Sequence, residues 1–218
     1  MERRPRECDV AETEPAAQLG MSRAEERDYI ARAKKGDRDA LRALIDSHKD
    51  RLFHFVRRVV RNHHDAEEVC QDAFLKAFSS LATFNPEYRF STWLFTIAYR
   101  LSLNGMRRKH PLTGEVDFTA LPHCGEGVEH RVAQSEEAAF LKRTVWSAVD
   151  GLTAAQRAAI VLFYREQQSC LQIAEVLQLP VATVKSHLHR ARARLKEILE
   201  PALARDSGRL RILTELAG

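Results

Sequence analysis

The chain has 218 residues, of which 44% are hydrophobic and 29% charged, and its net charge of +4 is the small difference between 34 basic and 30 acidic residues. This composition is typical of a folded, water-soluble protein and excludes a largely disordered or fibrous chain. No uncharged run approaches the roughly 18 residues of a membrane span, so no membrane insertion is expected. The four cysteines form no CxxC pair, which fits a reducing cytoplasm.

The first half of the chain is predicted to be a tail followed by a helical bundle. Residues 1–22 mix charges with prolines and lack apolar periodicity, which predicts a disordered tail. Over residues 24–109, apolar residues recur at helical spacing in stretches that begin near Leu41, Val69 and Trp93. These patterns predict one compact domain of three or four helices.

The second of these helices carries polar side chains around its N-terminal end. Asp65 and Glu68 have the spacing of capping residues. Carboxylates at a helix N-terminus are stabilised by the macrodipole, so these side chains indicate either a stabilised helix start or a surface for a partner. The candidate partner surface comprises Asp65, Glu67, Glu68, Gln71 and Asp72.

Aromatic and basic residues alternate after this helix, from Phe84 to Trp93. Aromatic pockets with nearby cations can hold a nucleic-acid base that has left the duplex stack. Tyr88 and Arg89 are the strongest candidates for such contacts, with Asn85 at the start of the same loop. Trp93 has the periodicity of a core residue, and we expect it to pack inside the domain.

The helix that follows the loop carries a basic face. After Ala98 it holds four positive charges and no carboxylate, whereas a merely solvated helix usually mixes charges of both signs. This pattern favours contact with a polyanion. The candidate contacts on this helix are Arg100, Asn104, Arg107 and Arg108.

Helical periodicity disappears over residues 110–137, where six acidic residues accompany a single basic one. An acidic linker is predicted there. A metal sensor or an enzyme built on His110, His123, Cys124 and His130 is an alternative interpretation of this segment. No helix or knuckle orients those side chains, and no catalytic constellation stands out elsewhere, so we expect no metal, no cofactor and no catalysis.

A second helical domain is predicted over residues 138–200. Ser169 and Gln172 have capping-box spacing at the start of a short helix, and Pro180 ends that helix and can begin the next one. Two short helices joined by a tight turn predict a helix-turn-helix. The second helix carries five basic residues and no carboxylate between Val181 and Lys196, which is typical of a DNA-binding face.

No strand alternation appears anywhere, so the predicted fold class is all-α: two small helical domains joined by the acidic linker, with a C-terminal tail over residues 201–218. A helix-turn-helix regulator that binds DNA without any polymerase is one functional alternative. It leaves residues 62–104 unexplained, and no strand-bearing sensor domain is indicated beside the DNA-binding module.

Three stretches of the second domain resemble region 4 of the extracytoplasmic-function (ECF) sigma factors of bacterial RNA polymerase. They run from Leu152 to Arg157, from Ile173 to Leu177 and from Thr183 to Arg192. In that family the recognition helix reads the minus-thirty-five promoter element in the major groove, with arginine or lysine reaching guanine edges. The resemblance assigns this role to Thr183, Lys185, Ser186, His187, His189, Arg190 and Arg192.

The first domain resembles region 2 of the same family. The helix beginning at Asp65 is similar to the one that docks on the β′ clamp coiled coil of core polymerase. The segment from Phe84 to Ala98 resembles the loop and helix that capture unpaired bases of the minus-ten element. The resemblance assigns minus-ten contacts to Asn85, Tyr88, Arg89, Arg100, Asn104, Arg107 and Arg108.

The resemblance as a whole implies a cytoplasmic transcription initiation factor that performs no catalysis and needs no cofactor. Its implied partners are core RNA polymerase, promoter DNA and an anti-sigma factor that controls it. The negative charge of the linker resembles that of a phosphate backbone, so we expect the linker to thread through polymerase channels built for nucleic acid.

Overall fold

The computed structural model describes residues 21–109 and 136–204, and every regular element within these ranges is helical, which confirms the predicted all-α class. Most of the predicted linker and most of both tails lie outside the described residues. The last two residues predicted for the linker, Glu136 and Glu137, belong to α5 instead. The helices are α1 (Arg23–Lys34), α2 (Arg38–Val60), α3 (His63–Ser79), α4 (Phe90–Lys109), α5 (Glu136–Asp150), α6 (Ala154–Ile160), α7 (Cys170–Leu177) and α8 (Val181–Ala204). A 3-10 turn over Leu81–Thr83 follows α3, and a π-helical turn over Val161–Arg165 continues α6.

Local capping residues explain where the first three helices begin. Ser22 and Glu25 form a capping box at the start of α1, and the Asp37 side chain caps α2. Asn62 caps α3 by accepting a hydrogen bond from the backbone amide of Asp65. The expectation that Asp65 itself caps this helix is therefore wrong, because the helix starts two residues before it.

The core of the first domain lies among α2, α3 and α4. Phe55 of α2 is fully buried, and its ring centroid lies 5.0 Å from that of Phe95 on α4. Helix α1 packs on α2 and buries Ile30 and Ala33. Helices α1 to α4 thus share an apolar core of buried residues.

The second domain contains the predicted helix-turn-helix. Ser169 and Gln172 form the expected capping box on α7, and Gln178 ends that helix in the left-handed conformation with φ of 56°. The carbonyl oxygen of Pro180 accepts the first backbone hydrogen bonds of α8. Helix α8 continues past the expected boundary at residue 200, because Leu199 is still buried against α5.

The two domains pack against each other, α2 against α6 and α4 against α7, and their buried residues form one continuous cluster. Arg157 of α6 lies fully buried at this boundary. Its guanidinium donates to the carbonyl oxygen of Arg58 at 2.9 Å and to that of Leu152 at 2.7 Å, so one side chain joins both domains. Burial lowers the pKa of Arg157 to about 10, which leaves it charged at neutral pH.

Ion pairs flank Arg157 along the same boundary. Arg51 of α2 lies 2.7 Å from the buried carboxylate of Glu166, and Arg58 lies 3.4 Å from Asp150. The Arg58 guanidinium also stacks 4.1 Å from the ring centre of Trp146. The sequence pattern separated the two domains, and it did not indicate this contact between them.

Candidate nucleic-acid interface

Helix α8 divides into a buried face and an exposed basic face. Val184, Leu188 and Ala191 are buried in the domain at a spacing of three and four residues. The predicted minus-thirty-five residues occupy the remaining surface. Lys185, His189, Arg190 and Arg192 are exposed, and Thr183, Ser186 and His187 are half-buried.

Two residues of this face have side chains that the fold restrains. Burial, together with the charge of Arg190, lowers the pKa of His187, which favours the neutral form of its imidazole. Arg192 donates a hydrogen bond to the hydroxyl of Tyr164 at 2.9 Å and lies 5.4 Å from the ring centre of Phe163. The aromatic residues of the π-helical turn therefore hold Arg192 in place, a role that their apolar periodicity did not reveal.

The basic face of α4 is also exposed. Arg100, Asn104, Arg107 and Arg108 are all on the surface, and their spacing places them along one side of the helix. Arg100 donates a hydrogen bond to the Gln178 side chain in the turn of the helix-turn-helix, at 3.0 Å. In this arrangement one end of the α4 face therefore lies next to the second domain.

The loop between the 3-10 turn and α4 places aromatic residues on both its inner and outer sides. Phe84 and Phe90 are buried, and the half-buried Trp93 lies 4.9 Å from Phe84 and 5.9 Å from Phe90 between ring centres. Trp93 is thus packed against the core, as predicted. Tyr88 is 57% exposed, and Asn85 is exposed beside it.

Arg89 lies at the junction of this loop and α4, and its position depends on a residue that sequence reasoning missed. Its side chain is about one third exposed and lies 3.8 Å from the carboxylate of Glu26, a buried residue of α1. The same carboxylate accepts a hydrogen bond from the backbone amide of Phe90 at 3.1 Å. Burial raises the pKa of Glu26, and the charge of Arg89 and the hydrogen bonds from the backbone amides of Phe90 and Ser91 oppose that rise.

The polar surface predicted on α3 is present as a continuous exposed face. Glu67, Glu68, Gln71 and Asp72 are exposed, whereas Asp65 is half-buried next to the cap. Leu75, one turn further along, is 68% exposed and extends this face with an apolar side chain. A polar surface that borders an exposed leucine suits contact with another protein.

Comparison with known proteins identifies the family. The sequence model of Sigma-70 region 2 matches residues 44–111, and that of Sigma-70 region 4 matches residues 142–195. The ECF RNA polymerase sigma factor SigW of Bacillus subtilis is 34% identical over 176 residues, which cover 78% of this chain and 94% of that protein. The chain belongs to the ECF sigma factors of RNA polymerase. It is thus a bacterial transcription initiation factor, which binds RNA polymerase and directs it to promoters.

Other relatives of this sigma factor support the assignment. The ECF RNA polymerase sigma-E factor of Escherichia coli is 28% identical over 182 residues, covering 81% of this chain and 95% of that protein. Among solved structures, CnrH in complex with the cytosolic domain of CnrY has a TM-score of 0.58 at 27% identity and covers 81% of this chain and 98% of that chain. The sigma factor RpoE of Bartonella quintana, in complex with the anti-sigma factor NepR, also has a TM-score of 0.58, at 25% identity, covering 69% and 91% of the two chains. No helix in the described part of this chain has the length and apolarity to span a bilayer.

Proposed function

We propose that the exposed face of α8 reads the minus-thirty-five element in the major groove. The support is its charge and its geometry: Lys185 and Arg190 are exposed on a helix whose opposite side is buried, and no carboxylate interrupts the face. Arginine and lysine can donate to guanine edges, while the neighbouring polar side chains hold phosphates. Arg192, held by Tyr164, is best suited to a fixed phosphate contact.

The loop over residues 85–89 and the basic face of α4 form the second promoter surface of the proposal. Tyr88 offers an exposed aromatic ring on which an unpaired base can stack, and Arg89 supplies a cation beside it. Base capture of this kind offsets the stacking energy that is lost when the duplex opens. Arg107 and Arg108, further along α4, then hold the backbone of the minus-ten strand.

The polar face of α3 is the proposed docking surface for the clamp of core polymerase. Glu68, Gln71, Asp72 and Leu75 are exposed on consecutive turns of one helix. The acidic linker joins the two promoter-reading domains and follows polymerase channels built for nucleic acid. The factor positions DNA and polymerase and carries out no catalytic step of its own.

One observation carries this proposal: the two basic surfaces lie on helices of separate domains, and each lacks carboxylates. The test is to add the purified factor to core polymerase with genomic DNA and to sequence the transcripts. We expect a set of start sites that appears only with the factor and shares upstream elements at two positions. Start sites that share only one element contradict the division of roles between α8 and α4.

An anti-sigma protein is the proposed regulator, because the similar sigma factor RpoE of Bartonella quintana was solved in complex with the anti-sigma factor NepR. The test is to add the cytosolic part of a candidate protein, encoded beside this factor, to the same transcription reaction. If the candidate inhibits transcription, and additional sigma factor relieves the inhibition at a one-to-one ratio, this regulation is supported. A candidate that binds the factor without changing transcription contradicts it.

A further inference from the structure

Helix α1 holds the backbone of the loop that precedes α4. Arg23 donates a hydrogen bond to the carbonyl oxygen of Glu87 at 2.9 Å, and Arg27 donates to that of Pro86 at 3.3 Å. These partners are 64 and 59 residues apart in the sequence. The centre of the exposed loop is therefore hydrogen-bonded to a helix that is distant in the sequence but adjacent in the fold.

Two further residues of α1 hold the ends of the same loop. Lys34 donates a hydrogen bond to the carbonyl oxygen of Phe84 at 2.9 Å, where the loop begins. Glu26 accepts a hydrogen bond from the backbone amide of Phe90, where the loop ends and α4 begins. Side chains from three turns of one helix thus fix both ends and the centre of the loop.

The start of α4 explains why a distant carboxylate is needed there. The backbone amide of Trp93 donates to the carbonyl oxygen of Arg89, so Arg89 occupies the cap position of this helix. An arginine side chain has no hydrogen-bond acceptor and cannot satisfy the free amides of the first turn. Glu26 does so from α1, and its negative charge suits the positive end of the helix dipole.

The same carboxylate also restrains the side chain of Arg89. Glu26 is only 6% exposed, so its attraction to the guanidinium 3.8 Å away is screened less than that of a surface pair. His48 lies 3.9 Å from the other oxygen of the Glu26 carboxylate. The carboxylate is therefore enclosed, and the direction of the Arg89 side chain is set by a residue that does not itself reach the surface.

We propose that α1 is a positioning element for minus-ten recognition, in which Glu26 orients Arg89 and the arginines of α1 fix the course of the loop. This inference rests on the proposed role of residues 85–89 in base capture. It concerns a helix that precedes residue 44, where the match to Sigma-70 region 2 begins. Glu26 touches no DNA in this proposal and acts only through Arg89 and the first turn of α4.

A double-mutant cycle on full-length factor bound to core polymerase tests the inference. The variants are Glu26→Gln, Arg89→Ala and the two combined. Each is assayed on the strongest promoter found by transcription of genomic DNA. Glutamine keeps an acceptor for the Phe90 amide but loses the charge that holds Arg89. Permanganate reactivity of unpaired thymines measures opening, and duplex binding is measured separately.

We expect Glu26→Gln to lower open-complex formation about tenfold, because the neutral side chain no longer attracts the guanidinium of Arg89, with duplex binding unchanged. The double variant should open DNA no less well than Arg89→Ala alone, because Glu26 acts through Arg89. Asp28→Asn is the matched control, since Asp28 is an exposed carboxylate of α1 that pairs with Arg32. It should open DNA normally.

A second variant avoids the buried carboxylate and any folding defect that its replacement brings. Arg23→Ala combined with Arg27→Ala removes two exposed side chains that hold the loop, and the carbonyl oxygens they release can bond to water. We expect weaker discrimination among promoters with altered minus-ten bases, by about threefold to tenfold. Arg38→Ala, at an exposed arginine at the start of α2, is the control and should discriminate like the wild type.

The outcomes separate this inference from the proposed function. If Arg89→Ala impairs opening but Glu26→Gln does not, the positioning role is overturned while the role of the loop stands. Losses that multiply in the double variant also overturn the inference, because Glu26 then acts independently of Arg89. If Arg89→Ala opens DNA normally, the base-capture assignment falls, and the positioning role falls with it.

Discussion

Helix α8, the proposed recognition helix, and the loop over residues 84–89 obtain their shapes in different ways. On α8, the burial of Val184 and Leu188 leaves Lys185 and Arg190 exposed, and helical periodicity within the segment is sufficient to produce that arrangement. The loop has no such periodicity, and side chains 50 to 64 residues earlier hold its backbone. A contact surface on a helix is encoded locally, whereas one on a loop depends on the element that supports it.

We expect the largest effect at α3, because both proposed promoter surfaces act in a factor that is bound to polymerase. Reversing two charges, with Glu68→Lys and Asp72→Lys, should abolish co-purification with core polymerase because the proposed docking face becomes positive. Asp46→Lys with Asp50→Lys makes the same change at the same spacing on α2 and serves as the control. Normal polymerase binding by the folded α3 variant contradicts the docking assignment.

The next largest effect is expected at the boundary between the two domains, where the side chain of Arg157 contacts both. Replacing Arg157 with methionine leaves the carbonyl oxygens of Arg58 and Leu152 buried without their donor. We expect the free energy of unfolding to fall by about 3 kcal/mol, measured by urea denaturation of the full chain. Arg165→Met, at an exposed arginine of the following π-helical turn, should change it little. If Arg157→Met leaves the free energy of unfolding unchanged, the contacts of Arg157 at the domain boundary contribute little to stability.

The division of roles between α8 and the loop gives two opposite expectations. Arg190→Ala should relax discrimination among minus-thirty-five variants about tenfold, since a bidentate arginine contact distinguishes guanine from other bases. Arg89→Ala should leave that discrimination intact and lower the fraction of open complexes. Arg194→Ala is the control on α8, because Arg194 pairs with Glu197 and lies outside the proposed contact set. Full discrimination by Arg190→Ala contradicts the assignment of that residue.

The smallest expected effects come from two matched helix caps. Ser22 with Glu25 on α1 and Ser169 with Gln172 on α7 form the same kind of capping box. Ser22→Ala and Ser169→Ala should each destabilise the protein by about 1 kcal/mol. We expect Ser22→Ala to weaken promoter opening and Ser169→Ala to weaken minus-thirty-five binding, both measured with core polymerase. If Ser22→Ala and Ser169→Ala affect promoter opening and minus-thirty-five binding equally, the two proposed promoter surfaces are not supported separately by α1 and α7.

The sequence by itself predicted the all-α class and the helix-turn-helix, because those properties depend on spacing within single segments. The family followed from the resemblance of its motifs. Ser169, Gln172 and Pro180 delimit α7 and α8 through local hydrogen bonds and backbone constraints, and the structure has them where the pattern predicted. The assignment of individual DNA contacts stays a prediction that rests on exposure and charge.

Only the tertiary structure decided which distant residues meet. Glu26 lies in a helix with weak apolar patterning, and nothing within that segment indicates that its carboxylate caps α4. Arg157 likewise resembles an ordinary surface arginine in the sequence, yet it is fully buried between the domains. Contacts across 60 to 100 residues follow from how the helices pack, and the periodicity of a single segment carries no information about them.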